Sequence, residues 1–127
     1  MITELSIKDK IIKETKLIGV LPCIKVKREV DYVAYAKAMY NGGARIVEVT
    51  MTSPGALKAI ENIASKLEGK IWVAAGTVLD SNTAKAVVDH GGSLIVSPTV
   101  NPKVIDTAIS NGVAVYSGAF TASECKL

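Results

Sequence analysis

Histidine is represented once, by His90, and cysteine only by Cys23 and Cys125, which lie far apart in the chain. One histidine cannot build a multi-histidine metal centre, and two distant cysteines fit neither a metal-ligand spacing nor a disulfide framework. Aromatic residues make up 5% of the chain, and its 15 Lys+Arg are scattered among 12 Asp+Glu for a net charge of +3. No basic run forms, so a nucleic-acid surface has little support. No apolar run approaches the roughly 18 residues of a membrane span, and no signal peptide is recognisable. The expectation is a reduced, cytoplasmic protein with no membrane partner. Neither GxGxxG nor GxxxxGK[ST] occurs, which removes the common nucleotide-binding fingerprints.

What is present is repetition. NGGARIVEVT (41–50), HGGSLIVSPT (90–99) and NGVAVYSGAF (111–120) share a helix-ending glycine, a short apolar strand and a small or polar tip. KLIGVLPCI (16–24) and KIWVAAGT (70–77) fit the same pattern with weaker leads. Strand centres near 19, 47, 73, 95 and 115 are spaced by about 20 to 28 residues, the length of a βα unit. At 127 residues with 49% apolar content, the chain is one domain able to bury a core without staples.

Helical patterns fill the gaps. Ser53-Pro54 reads as an N-cap followed by proline at the first helical position, with Leu57, Ile60, Ile63, Ala64 and Leu67 as the apolar stripe. Asn101-Pro102 repeats that start ahead of Val104, Ile105, Ala108 and Ile109. Asp80 or Ser81 opens a third helix, residues 29–41 make another, and residues 3–14 form a short one before the first strand. His90 falls at a solvated helix C-terminus. The closing TASECKL reads as a helix start capped by Thr121 or Ser123.

Two α/β architectures accommodate five such units. One is a doubly wound, flavodoxin-like sheet; the other is a (β/α)₈ TIM barrel cut off after about its fifth strand, which the abrupt ending favours. A phosphoacceptor receiver domain would want acidic residues where Pro22-Cys23 and Gly76-Thr77 stand.

Sites in either architecture form at the C-terminal strand tips. There Glu48 is the one titratable group set within its strand, between Val47 and Val49. A half-covered carboxylate suits a general acid or base; it could equally pair with a neighbouring lysine or turn to the rim. Thr77, after Ala75-Gly76, has a hydroxyl able to hold a substrate carboxylate, or it simply makes a tight βα turn. Pro98 either lines a pocket or ends its strand.

Taken together, GVLPCIKVK, GGARIVEVTMTSP, AAGTVLD and GGSLIVSPTVNPKVI resemble the 2-keto-3-deoxy-6-phosphogluconate / 4-hydroxy-2-oxoglutarate aldolase family in order and spacing along residues 10–127. The resemblance implies a class I, Schiff-base aldolase on a (β/α)₈ barrel, without cofactor or metal, acting on a small keto acid as a homo-oligomer, a trimer in the family. It implies cleavage of 2-dehydro-3-deoxy-6-phosphogluconate to pyruvate and glyceraldehyde 3-phosphate in the Entner–Doudoroff pathway. Cleavage of 4-hydroxy-2-oxoglutarate to pyruvate and glyoxylate is implied with it. Glu48 then becomes the acid/base, Thr77 a ligand of the pyruvyl carboxylate, and Pro98 part of the pocket wall.

Three departures accompany the likeness. The Schiff-base lysine of the family lies on a sixth strand that the chain does not reach, and the phosphate loops after strands seven and eight are missing with it. The substrate arginine is replaced: Pro22 and Thr52 stand at its two known positions, with Lys25 nearby as a point charge lacking arginine's bidentate fork. The PG before the last TxxE is Ser117-Gly118. Thr52 and Lys25 are accordingly the remaining substrate-binding expectations. Alone, the chain should be inactive as an aldolase, and five barrel strands should leave open edges at the first and fifth. The alternative is a non-catalytic half-barrel that binds a small keto acid or serves in assembly.

Overall fold

The computed structural model describes residues 5–126. Five helices, α1 (Ile7–Ile18), α2 (Tyr32–Asn41), α3 (Ala56–Lys66), α4 (Ser81–Asp89) and α5 (Pro102–Ser110), alternate with five strands. The strands are β1 (Cys23–Ile24), β2 (Ile46–Thr50), β3 (Trp72–Gly76), β4 (Leu94–Ser97) and β5 (Ala114–Ser117). All neighbours pair in parallel, in the order β1-β2-β3-β4-β5.

Sequential order means every crossover advances in the same direction, and right-handed crossovers then place every connecting helix on one face. The packing agrees. Val47, Val49, Val73, Ala75 and Ile95 point outward into one cluster with Ala36 of α2, Ile60 and Ile63 of α3, Val87 of α4 and Val104 and Ala108 of α5. A doubly wound sheet would reverse its order and split those helices between two faces. The flavodoxin-like alternative is therefore excluded, and the arrangement is that of TIM-barrel βα units, with β1 and β5 at the edges.

The opposite, inner face is covered differently. Ile46, Ala74, Leu94 and Ala114 pack against Ile11 of α1, and the Tyr116 hydroxyl donates to Thr15 Oγ1 at 2.8 Å. Helix α1 thus occupies the lower part of this face and leaves the strand tips above it open.

Several boundaries differ from expectation. The apolar run 16–24 does not make a strand centred near residue 19. Helix α1 continues through Ile18 and is ended by the left-handed Gly19 (φ 72°), and β1 is confined to Cys23–Ile24. Ser6 accepts from the Asp9 N–H and starts the helix at Ile7, while residues 3 and 4 of the expected helix lie outside the described residues. Helix α2 starts at Tyr32, capped by Asp31, rather than at residue 29. Helix α3 starts at Ala56 after a left-handed Gly55, with no side-chain cap. Ser53 is drawn away from capping because its hydroxyl accepts from the Val26 N–H across the sheet (3.1 Å). Asp80 and Asn101-Pro102 open their helices as expected. His90 ends α4, its Nδ1 2.7 Å from the Ala86 carbonyl.

Candidate active site

The upper inner face is built by alternation along β2. Because side chains switch faces residue by residue, Val47 and Val49 go to the outer core while Ile46, Glu48 and Thr50 face inward. Ile46 meets α1 at the bottom, and Glu48 and Thr50 stand one and two rungs higher. Strand register sets Cys23 and Ala74 on either side of Glu48, and Gly76 beside Thr50.

The Glu48 carboxylate leans over β3. A Cβ placed on Gly76 would lie 1.8 Å from Glu48 Oε1 and 2.5 Å from its carboxyl carbon. A methyl group there would force the Glu48 carboxylate to move, so the glycine of AGT leaves room for the glutamate of EVT. Cys23 closes the other flank. Its thiol donates to Glu48 Oε1 at 3.4 Å and lies 3.0 Å from Thr50 Oγ1. Cys23 as a residue is exposed, but partial desolvation of its thiol pushes it above its ordinary range; the Thr50 hydrogen bond lowers it, the Glu48 charge raises it further, and Lys25 opposes that. The thiol is consequently a protonated donor at neutral pH.

Thr77 follows directly on β3. It is half-buried with φ 60°, the one non-glycine residue of positive φ among those described. A β-branched residue in the left-handed region is strained, and such strain concentrates at functional sites. The next residue is anchored to β4 by the Val78 N–H to the Val96 carbonyl (3.1 Å).

The β4 and β5 tips are tied together. Ser97 is buried and donates to the Thr99 carbonyl at 2.8 Å, and the Ser117 hydroxyl approaches the same oxygen at 3.3 Å. The Gly118 N–H donates to the Ser97 carbonyl at 2.8 Å, and a Cβ on Gly118 would fall 2.3 Å from the Pro98 carbonyl oxygen. Pro98 itself is exposed just beyond the end of β4. Thr121 and Glu124 form a reciprocal capping box, the Thr121 hydroxyl accepting from the Glu124 N–H and the Glu124 carboxylate accepting from the Thr121 N–H.

Of the expected site residues, Glu48 and Thr77 are brought to adjoining strand tips, one beside Gly76 and the other following it. Lys25 and Thr52 are both exposed and line an open groove of about 500 Å³ with Val26, Lys27 and Pro54. Pro98 stands apart from them just beyond β4, against Gly118. Sequence reasoning missed Cys23 and Thr50 as neighbours of Glu48. The available signal was strand pairing: had β1 been placed at residues 23–24, parallel register would have set Cys23 opposite Glu48.

Among the described residues, no three His, Cys, Asp or Glu side chains gather as a metal site, and no helix is long and apolar enough to cross a membrane.

Comparison with known proteins follows the same lines. A family model described as KDPG and KHG aldolase matches residues 9–127. The 2-dehydro-3-deoxy-phosphogluconate aldolase of Treponema pallidum is 33% identical over 107 residues, covering 84% of this chain and 50% of that protein. The 2-keto-3-deoxy-6-phosphogluconate aldolase of Zymomonas mobilis ZM4, solved with 3-phosphoglycerate, superposes with a TM-score of 0.79 at 28% identity, covering 92% of this chain and 55% of that one. The KDPG aldolase of Legionella pneumophila, solved with pyruvate captured as a covalent carbinolamine, superposes with a TM-score of 0.75 at 25% identity, covering 84% of this chain and 51% of that one. The chain spans about half the length of the curated relatives it matches. With its singly wound strands and the EVT, AGT and IVSP tips in place, it belongs to the KDPG and KHG aldolase family, as an N-terminal portion of it.

Proposed function

We propose that residues 1–127 form a single unit, the first five βα units of an eight-unit barrel, and supply the acid/base side of a class I aldolase active site. The substrates are 2-dehydro-3-deoxy-6-phosphogluconate, cleaved to pyruvate and glyceraldehyde 3-phosphate, and 4-hydroxy-2-oxoglutarate, cleaved to pyruvate and glyoxylate. The observation that carries this reading is the inward carboxylate of Glu48, lodged over Gly76 at a strand tip.

In retro-aldol cleavage a base must take the proton of the C4 hydroxyl as the C3–C4 bond breaks, and an acid must then protonate C3. One carboxylate at the tip of β2 serves for both steps. Thr77 binds the keto acid's carboxylate, and Pro98 walls the pocket on the β4 side. Lys25 and Thr52 offer a cation and a hydroxyl along the groove where substrate enters. The electron sink is an imine, which needs a desolvated amine. Lys25, the lysine whose charge reaches Cys23, is exposed rather than desolvated; the amine is assigned, by the likeness to the family, to a lysine on a sixth strand outside these residues. The complete enzyme is assigned as a cytoplasmic homo-oligomer, a trimer, of the Entner–Doudoroff pathway.

The test is borohydride trapping with pyruvate, alongside pyruvate release from both substrates, applied to this chain and to the full product of its native gene. Reductive labelling of the full product, with none on the 127-residue chain, is expected. A full product that binds keto acid without labelling would replace catalysis with a binding or assembly role.

A further inference from the structure

Cys23 is used by none of the chemistry above, yet it is the side chain that touches the acid/base. Resting on the aldolase reading, we propose that Cys23 is a positioning residue, holding the Glu48 carboxylate in place through a Thr50–Cys23–Glu48 hydrogen-bonded chain.

Three observations converge. Parallel register sets Cys23 directly opposite Glu48, on the same inward face, so backbone pairing keeps the two side chains within reach of each other. Cys23 Sγ lies 3.4 Å from Glu48 Oε1 and 3.0 Å from Thr50 Oγ1. Thr50 is buried at 3% exposure, so its hydroxyl is held at a fixed point on the thiol. With the S–H directed to Oε1, the Thr50 O–H donates to sulfur, and both hydrogens are satisfied. The oxygen that the thiol meets, Oε1, is also the Glu48 atom nearest Gly76, so the contact is made where the carboxylate leans over β3.

A thiol suits a residue that must change protonation state. It is a donor when Glu48 is a carboxylate and a weak acceptor when Glu48 is protonated, so the contact persists through the proton cycle. The charged groups facing the thiol are Glu48, which favours its protonated form, and Lys25, which opposes it.

The experiment has two arms, both with the exposed Cys125 replaced by serine. In the first, the pH dependence of Cys23 alkylation by iodoacetamide is measured on the folded chain with Glu48 and with Glu48→Gln. The midpoint is expected to fall in Glu48→Gln; an unchanged midpoint overturns the proposal. In the second, Cys23→Val and Cys23→Ser are compared in the full native gene product. Cys23→Val is expected to lower kcat about tenfold, the value of one such hydrogen bond, to displace the pH–rate profile and to leave KM nearly unchanged. Cys23→Ser, which keeps a donor, recovers most of the rate. Active enzyme in which Cys23→Val matches the parent in rate and pH profile also overturns the proposal. Should the parent release no pyruvate while Glu48→Gln still lowers the thiol midpoint, the aldolase reading fails and the Cys23–Glu48 coupling stands.

Discussion

The two faces of this sheet are made from the same strands and obey different rules. On the outer face, Val47, Val49, Val73, Ala75 and Ile95 are all but sealed beneath α2–α5, and each position asks only for an apolar side chain of suitable volume. On the inner face, Ile46, Ala74, Leu94 and Ala114 pack against Ile11 of α1. Level with Ala74 on the neighbouring strands stand Glu48 and Cys23, and one rung above them Thr50 and Gly76. The outer face holds the molecule together, while the upper inner face sacrifices apolar contact to keep a carboxylate at a strand tip. Stability and chemistry are therefore separable by face, and substitutions can test that division.

The largest effect should come from the inner face, on activity alone. Glu48→Gln retains shape and removes proton transfer, so pyruvate release by the full gene product should fall by about 10²–10⁴-fold. Its thermal midpoint should stay close to that of the parent. A midpoint falling as far as that of a core variant would dissolve the distinction.

Ile60→Ala is the outer-face counterpart. Ile60 is fully buried in the cluster beneath α3, and truncating such a side chain costs about 2–5 kcal/mol, readable from urea unfolding. The folded fraction should keep its rate per molecule. Gly76→Ala sharpens the comparison because it affects both properties at one position. The new methyl must displace the Glu48 carboxylate, since the gap is 1.8 Å. The expected cost is about 1–3 kcal/mol of overpacking, together with a loss of activity approaching that of Glu48→Gln.

The same division explains what could be read from the chain. Outer-face strands and helix stripes are one-dimensional patterns, and β2 to β5 and the Asp80 and Asn101-Pro102 helix starts follow from them directly. The inner face depends on which strands are neighbours, information that periodicity does not carry. Leu17, Ile18 and Val20 have the same composition whether they end a helix or begin a strand, and only the cap at Gly19 distinguishes the two. Displacing β1 hid the Cys23–Glu48 pairing. Ser53-Pro54 has the residues of a helix start, but its serine bonds the Val26 N–H, 27 positions away, a partner no local rule can propose. In the sequence Gly76 stands only as the residue before Thr77, and that Glu48 leans over it is visible only in three dimensions. Glu48 and Thr77 were found by motif, and the strain at Thr77 became visible only as a dihedral angle.

The smallest effect tests whether the outer face is purely a matter of apolar volume. Tyr32 is 7% exposed, packs in the outer cluster and donates its hydroxyl to the Pro54 carbonyl at 2.6 Å. Tyr32→Phe keeps the ring and removes that bond, for an expected loss of about 1 kcal/mol in urea unfolding. Burial is the main cause raising the phenol above its ordinary value of 10, with the Ser53 hydrogen bond lowering it and the Glu29 charge adding to the rise. A raised folded-state value means the folded protein holds the proton longer than the unfolded chain. The phenol's contribution is then complete below pH 10 and is lost as pH climbs through the raised value. Cys23, raised for the same leading reason, loses its contribution in the same direction. Alkaline unfolding should therefore become shallower in Tyr32→Phe. It should flatten further when Cys23→Val is added, because one titrating group has then been removed from each face. If the first substitution leaves the alkaline slope unchanged, the hydroxyl is not coupled to folding, and the outer face is held by apolar contact alone.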